Sequence, residues 1–337
     1  MTRQCGQMFA ALLLAVVMVG VLSGPLQAAT YTWVQGGDIT NWEDPLNWDA
    51  NGVPPQSETN ATLVFSASTT GQIGGDPPDG KVTIGAMSWE TSFSLQDFGH
   101  YTDYSSGIFV NTGTDSPATA TISNGAHMIA YYVNWDLTSD LELSGSGKLT
   151  VRAYNGRGVE GSGGFIVNSG TSLDCVRTHG NDDYVYAGGV TIRSGGIVNT
   201  TGRGSGNGAL GTGRLTIEEG GQIQTVNDLF GANDATFVID GSTDGTGLFI
   251  TGAGGNWNAS GTWTFDLSGL APDVGDMWNI ISGTATYDPA FSISDFTEES
   301  DGVWTGEANG AAYEFEESTG ILQVTAVGPG GTTLIVR

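Results

Sequence analysis

The sequence predicts an all-β fold, a β-solenoid, and three observations support this prediction. Short alternating apolar runs such as residues 190–192 and 215–217 are bounded by Gly, Asn, Asp and Ser, as strands usually are. No window of about eleven residues carries the i, i+3, i+4, i+7 apolar stripe of an amphipathic helix. Glycines recur every 25 residues, at Gly145, Gly170, Gly195 and Gly220. A period in this range is typical of solenoids.

The composition excludes several classes of protein. The 337 residues include 10 Lys+Arg and 36 Asp+Glu, which gives a formal net charge of −26. Such a chain is repelled by phosphate backbones, so we expect no nucleic-acid partner. Two cysteines cannot staple a small disulfide scaffold. A hydrophobic content of 39% argues against wholesale disorder.

Residues 1–28 have the layout of a secretory signal peptide. Arg3 precedes an apolar run at residues 9–22, and small residues follow around Ala28. We therefore expect export to the periplasm, the cell surface or the extracellular space. After cleavage no second apolar run remains, so we expect no integral membrane span. Cys175 would be the one remaining cysteine, so no intramolecular disulfide could form.

Residues 29–80 are predicted to form an N-terminal cap and the first strands. Trp33, Trp42 and Trp48 lie close together in this segment, and Pro54 and Pro55 follow them. A solenoid exposes a sheet edge at each end, and such edges aggregate unless they are covered. We therefore expect these tryptophans to pack in the cap rather than to bind a ligand.

Residues 81–256 are predicted to form the solenoid coils. Five segments share an apolar-x-apolar pattern followed by a turn with Gly, and their second apolar residues include Leu143, Val167, Ile192 and Ile217. One such unit is too short to bury a core, whereas stacked units bury a continuous apolar ladder. A β-sandwich is the alternative, but its turns recur every 8–12 residues without a long period.

The remaining segments differ in charge. Residues 257–326 contain no Lys or Arg and are predicted to be an acidic C-terminal β region. Residues 327–337 are predicted to be a tail. Residues 148–214 carry seven basic and four acidic side chains, a local charge of +3. The middle coils are therefore expected to differ electrostatically from both ends of the chain.

Several stretches resemble secreted bacterial surface proteins. Residues 186–197 (YAGGVTIRSGGI) and 206–217 (GNGALGTGRLTI) resemble the autotransporter-associated β-strand repeat. Residues 31–48 resemble the amino-terminal opening of such proteins, and residues 263–278 resemble their carboxy-terminal portion. The resemblance implies an exported, right-handed parallel β-helix that acts as a passenger-like surface module. We expect no translocating barrel after residue 257, because the required strands of about ten residues have no room there.

One polar cluster could carry chemistry on polysaccharides. Its candidate catalytic residues are Asp182, Asp183, Arg177 and His179, and its candidate ligand-binding residues are Tyr184 and Tyr186. Paired carboxylates could supply the acid and base, or the nucleophile, of glycoside hydrolysis. The basic side chains could bind a sugar acid, and the tyrosines could stack on a sugar ring. A solvated corner loop is the simpler interpretation, and the strongly acidic composition favours it.

Other motifs give weaker signals. Asp240 and Asp244 could bind Ca²⁺, but no distal Glu follows at loop spacing, so an Asx turn is favoured. His100, His127 and His179 lack the spacing of a zinc site. We therefore expect no cofactor other than this Ca²⁺ candidate.

The sequence thus predicts a structural or adhesive protein without catalytic activity. Its expected partner is an extracellular polysaccharide or a surface matrix. The alternative is a polysaccharide-binding or polysaccharide-degrading β-helix, in which paired aspartates act as a glycoside hydrolase.

Overall fold

The computed structural model describes the chain in nineteen segments. These are residues 29–38, 41–49, 52–54, 61–65, 71–73, 81–89, 93–96, 107–110, 116–123, 125–131, 135–153, 158–177, 187–201, 210–225, 229–230, 234–241, 248–252, 257–283 and 285–328. The predicted signal peptide, residues 1–28, lies outside these segments.

Nearly all regular structure in these segments is strand. The first strands are β1 (Thr30–Trp33), β2 (Ala61–Phe65), β3 (Gly71–Ile73), β4 (Lys81–Trp89), β5 (Phe93–Gln96), β6 (Gly107–Val110), β7 (Ala118–Ile122), β8 (His127–Tyr131), β9 (Trp135–Leu137) and β10 (Leu141–Gly145). The middle strands are β11 (Lys148–Ala153), β12 (Val159–Glu160), β13 (Phe165–Val167), β14 (Ser172–Arg177), β15 (Val190–Ile192), β16 (Ile197–Thr201), β17 (Leu215–Glu218), β18 (Gln222–Thr225), β19 (Leu229–Phe230) and β20 (Ala235–Val238). The last strands are β21 (Leu248–Gly252), β22 (Trp257–Ala259), β23 (Thr262–Asp266), β24 (Met277–Ser282), β25 (Ala285–Tyr287), β26 (Ser292–Ile293), β27 (Phe296–Ser300), β28 (Val303–Ala308), β29 (Ala311–Glu316) and β30 (Ile321–Val327). One short 3₁₀ helix spans Pro45–Asn47.

Two long parallel sheets form the body of the protein. Sheet I stacks β1, β2, β4, β7, β10, β13, β15, β17, β20, β23 and β26. Sheet II stacks β3, β5, β8, β11, β14, β16, β18, β21 and β24. Sheet I also extends from β4 through β6, β9 and β12, and β19, β22 and β25 form a separate three-stranded parallel sheet. This arrangement confirms the predicted all-β solenoid.

The most regular part spans about four turns, from β7 to β17. Ala118 pairs with Leu141, Leu141 with Phe165, Phe165 with Val190, and Val190 with Leu215. These steps of 23, 24, 25 and 25 residues reproduce the period of the sequence. Each turn therefore places equivalent positions directly above one another, about 4.8 Å apart.

Buried and outward positions alternate from one residue to the next along each strand, and the register places like positions in columns. In sheet I the inward column includes Leu143, Val167, Ile192 and Ile217, each completely buried. The residue before Ile192 is Thr191, which faces outward and is only half-buried. Sheet II has a matching inward column, formed by Leu149, Leu173, Val198 and Ile223. The alternation follows from the two-residue period of a strand.

The repeating glycines form the corner between the two sheets. Gly170 and Gly195 have φ values of +79° and +77°, a conformation that is cheap only without a Cβ. The Gly170 N–H donates to the Gly195 carbonyl at 3.0 Å, and the Gly195 N–H donates to the Gly220 carbonyl at 2.9 Å. The corner backbone is thus hydrogen-bonded from coil to coil, as the glycine spacing predicts.

The three N-terminal tryptophans pack together. Trp33 and Trp42 stack with centroids 6.3 Å apart, and Trp48 contacts both rings edge-on at 5.1 and 4.6 Å. All three rings are buried, and Trp48 Nε1 donates to the Trp42 carbonyl at 2.9 Å. Asn47, also fully buried, donates to the Asn41 carbonyl at 2.9 Å. These contacts support packing rather than ligand binding as the role of the tryptophans.

The C-terminal strands change direction. Parallel pairing continues past residue 256 to β26, and β27, β28, β29 and β30 then form an antiparallel extension of sheet II. β30 joins this extension to β24.

One carboxyl group in this extension has a shifted pKa. Burial raises the pKa of Glu317, and the nearby Glu298 and Asp301 carboxylates add to that rise. A hydrogen bond from Trp304 Nε1, 2.8 Å away, opposes it.

Candidate functional site

A ladder of polar side chains runs across the outer face of sheet II. Thr150, Asp174 and Asn199 occupy equivalent positions on β11, β14 and β16, because the strands pair in register. His127 and Lys148 form the neighbouring column on β8 and β11. We call these five residues the sheet II ladder.

Hydrogen bonds connect the ladder from coil to coil. His127 Nε2 lies 2.8 Å from Thr150 Oγ1, and Thr150 Oγ1 donates to Asp174 Oδ2 at 3.3 Å. Asn199 Nδ2 donates to Asp174 Oδ1 at 2.7 Å, and Lys148 Nζ lies 2.9 Å from Asp174 Oδ2. Asp174 is therefore the centre of the ladder, with partners on both adjacent coils.

The ladder keeps its imidazole neutral at neutral pH. Burial lowers the pKa of His127, and the Lys148 ammonium lowers it further, while the Asp174 carboxylate opposes the shift. A neutral imidazole has one donor and one acceptor nitrogen. Because Thr150 donates its one hydroxyl hydrogen to Asp174, the arrangement fits His127 Nε2 as the donor to Thr150 Oγ1.

A shallow groove of about 230 Å³ borders the ladder at the corner between the sheets. Four successive coils contribute to its lining, which is formed by Gly125, Ser146, Gly147, Lys148, Gly170, Thr171, Ser172, Gly195 and Ile197. Lys148 belongs to both the groove and the ladder. The groove walls combine glycine backbone, hydroxyl groups and the ammonium group of Lys148.

A second ladder of charged side chains lies on the outer face of sheet I. Arg193 Nη1 lies 2.8 Å from Glu142 Oε1 and donates to Asn168 Oδ1 at 2.8 Å. Asn168 Nδ2 also donates to Glu142 Oε1, at 2.9 Å. One arginine on β15's coil is therefore tied to side chains from the two preceding coils. These contacts connect three successive coils through their outward side chains.

Most of the site residues predicted from the sequence lie outside the described part of the chain. They are His179, Asp182, Asp183, Tyr184, Tyr186 and Asp244. The backbone of Arg177 pairs with Ala153 at the end of β14, and its side chain is outside the described residues. The catalytic and ligand-binding assignments for these positions stay predictions.

Asp240 is described, and its backbone takes part in an unexpected contact. Glu219, almost fully buried, accepts hydrogen bonds from the Asp240 N–H at 2.9 Å and the Gly241 N–H at 2.8 Å. A carboxylate from one coil thus holds the turn of the next. Among the described residues no group of three or more His, Cys, Asp or Glu side chains is arranged to hold a metal ion.

Cys175 faces the interior, next to the ladder residue Asp174 on the same strand. It is completely buried, and burial raises the pKa of its thiol, with a further rise from the Asp174 carboxylate. A thiol held in its neutral form is a poor nucleophile. Cys175 therefore packs as a small apolar residue.

Sequence reasoning did not single out the sheet II ladder as a unit. The signal that could have found it is spacing, because Thr150, Asp174 and Asn199 are separated by 24 and 25 residues, the coil period itself. Polar residues one period apart stack on the same face of a solenoid.

The comparisons with known proteins give no match. No protein-family model, no curated protein and no solved structure matches the chain significantly. The resemblance to the autotransporter-associated repeat therefore stays a prediction. Within the described residues, no helix has the length and apolar character needed to cross a membrane.

Proposed function

We propose that this protein is an exported structural or adhesive β-solenoid of a bacterial surface or extracellular matrix, and that it has no catalytic activity. One observation carries the proposal: charged side chains on both outer faces are joined to side chains of neighbouring coils. Arg193 contacts Glu142 and Asn168 on sheet I, and Lys148 contacts Asp174 on sheet II. Such pairs join neighbouring coils at the surface and add to the backbone hydrogen bonds that make the stack continuous.

The charge distribution supports a role in binding to a surface or matrix rather than in catalysis. Residues 257–326 carry no Lys or Arg. Repulsion between such acidic regions opposes their close approach, and the less acidic middle coils are the more favourable surface for a partner. The signal-peptide pattern of residues 1–28 supports export.

The described ladder does not suit glycoside hydrolysis. That reaction requires two carboxyl groups, about 5–10 Å apart, on either side of the scissile bond. Among the described residues the ladder supplies one carboxylate, Asp174, which is already paired with Lys148 and Asn199. The described residues of the ladder therefore do not supply the pair of carboxyl groups that this reaction needs.

A polysaccharide screen tests the proposal. Residues 29–337 would be purified and incubated with neutral and acidic polysaccharides, with bound protein and released reducing ends measured in the same samples. We expect binding without release. Release that disappears when Asp182 and Asp183 are both changed to Ala would establish the alternative, a glycoside hydrolase. A matched variant, Asp266→Ala with Asp276→Ala, controls for the loss of two negative charges.

A further inference from the structure

We propose that the groove beside the sheet II ladder is a binding site for a neutral, hydroxyl-rich polysaccharide chain. This inference deepens the proposed adhesive function and rests on it, because it names where the solenoid would contact a matrix. The groove crosses four successive coils, from Gly125 to Gly195 and Ile197. Three coil steps of about 4.8 Å give it a length of about 14 Å along the solenoid.

The shape of the groove suits a linear chain that lies along it rather than a small molecule that is enclosed. Its volume of about 230 Å³ is below the roughly 300–1,000 Å³ of clefts that enclose drug-sized ligands. At Gly125 a Cβ would meet no atom within 4 Å, so this end of the groove is open, whereas at Gly147 the same space is filled by Ile122 and the Ala126 carbonyl. The groove is continuous across coils, so a linear ligand parallel to the solenoid axis would contact equivalent positions in turn.

The polar groups of the groove match hydroxyl groups better than charges. Ser146 and Ser172 bear hydroxyls that can donate and accept. Lys148 offers ammonium donors to the groove, while its partner Asp174, 2.9 Å away, belongs to the adjacent ladder. The serine hydroxyls and the ammonium group can bind neighbouring hydroxyls of a sugar ring.

The electrostatics select against acidic ligands. Lys148 is already neutralised by Asp174, and the neighbouring His127 has a lowered pKa and is uncharged at neutral pH. The groove therefore has no surplus positive charge. The net charge of the chain, −26, adds a general repulsion of polyanions.

The structure offers a matched pair of glycine substitutions as a test. Gly125 lines the groove, and Gly310 lies in the C-terminal antiparallel strands, far from it in the chain. Both have positive φ, +65° and +75°, and a Cβ at either position would meet no atom within 4 Å. Asn tolerates this conformation, so Gly125→Asn and Gly310→Asn carry similar backbone strain. Only the first places a side chain at the groove.

A second pair tests the charged donor. Lys148→Met removes the ammonium in the groove, and Arg214→Met removes a cation from an ion pair with Asp234 outside it. Both variants change the net charge by the same amount. Both ion pairs are partly exposed, so each loss costs little stability.

The experiment measures binding of maltohexaose, cellohexaose, laminarihexaose and hexagalacturonate to the full chain by calorimetry. We expect at least one neutral hexasaccharide to bind, hexagalacturonate not to bind, and Gly125→Asn and Lys148→Met each to weaken binding about tenfold or more. Gly310→Asn and Arg214→Met should bind as the parent does. Unfolding midpoints confirm that all four variants are folded.

Three results would overturn the inference: no neutral hexasaccharide binds at about 1 mM, both members of a pair bind equally, or hexagalacturonate binds more tightly. These results can be distinguished from failure of the proposed function, because that failure would be observed as release of reducing ends from a polysaccharide. A chain that binds polysaccharide with unaltered affinity in Gly125→Asn would remain adhesive through another face.

Discussion

Removal of one inward side chain should destabilise the solenoid far more than removal of its outward neighbour. Ile192 is completely buried between Val167 and Ile217 on the adjacent coils. Ile192→Ala removes about three CH₂ equivalents, worth roughly 0.8 kcal/mol each, or about 2.4 kcal/mol. The cavity left between the adjacent coils raises the expected loss to about 3–4 kcal/mol.

The matched control is Thr191→Ala, one residue earlier on the same strand. Thr191 faces outward from sheet I and is half-buried, so its truncation should cost about 1 kcal/mol or less. Urea unfolding followed by far-ultraviolet circular dichroism measures both losses, provided that the two variants share one m-value. Equal losses, or a larger loss for Thr191→Ala, would refute the assignment of inward and outward positions.

Three further predictions concern coil contacts, corners and the C-terminal strands. A double-mutant cycle on Arg193→Ala and Glu142→Ala should give a coupling energy of about 0.5–1 kcal/mol that shrinks in about 1 M salt; no coupling at low salt would contradict the inter-coil role of the pair. Gly195→Ala should destabilise by more than about 1 kcal/mol, because its φ is +77° and the new Cβ would lie 2.6 Å from a serine hydroxyl. Gly275→Ala, with φ +97° but open space around the Cβ, should cost less, and the reverse order in thermal melts would contradict the corner geometry. Burial raises the pKa of Glu317, so the folded state binds the carboxyl proton more tightly than the unfolded chain does. Stability should therefore fall as pH rises from the ordinary carboxyl pKa through the raised one. Glu317→Gln should flatten that part of the stability profile, measured by unfolding midpoints between about pH 4 and 7, and an unchanged profile would contradict the shift.

The regular coils were predictable because their signal is local and repeated. Each coil carries its own alternating strand and its own corner glycine, so Leu143, Val167, Ile192 and Ile217 could be placed in one buried column from spacing alone. Each of these corners needs a residue with a positive φ, so glycine recurs in the sequence at the coil period. A period repeated over several coils is a stronger signal than any single strand.

The contacts between coils were less visible in the sequence. Asp174 lies three residues before the predicted site residue Arg177, but its partners Lys148, Thr150 and Asn199 come from other coils. Glu219 likewise holds a turn more than twenty residues away, at Asp240 and Gly241. Such pairings depend on register, and the register becomes definite only when the coils stack.

Residue composition was a weaker predictor of structure in the C-terminal strands than in the regular coils. Residues 257–326 were predicted from their charge to be an acidic C-terminal β region, and within it β23 and β26 continue the parallel stack of sheet I. Aromatic packing replaces the aliphatic ladder there. Trp263, for example, contacts Phe237 on the preceding coil at 4.9 Å and Phe291 at 5.0 Å. A stack can therefore continue while the residue types that form its core change.

A distance between two spin labels tests the in-register stack most directly. Thr119 and Thr236 face outward in one column of sheet I, five coil steps apart. Labels on Thr119→Cys and Thr236→Cys, in a Cys5→Ser background in which buried Cys175 does not react, should be separated by about 24 Å, five steps of about 4.8 Å. A single narrow peak near this distance is the expected result. A broad distribution, or a peak displaced by several coil steps, would contradict the solenoid on which every proposal above depends.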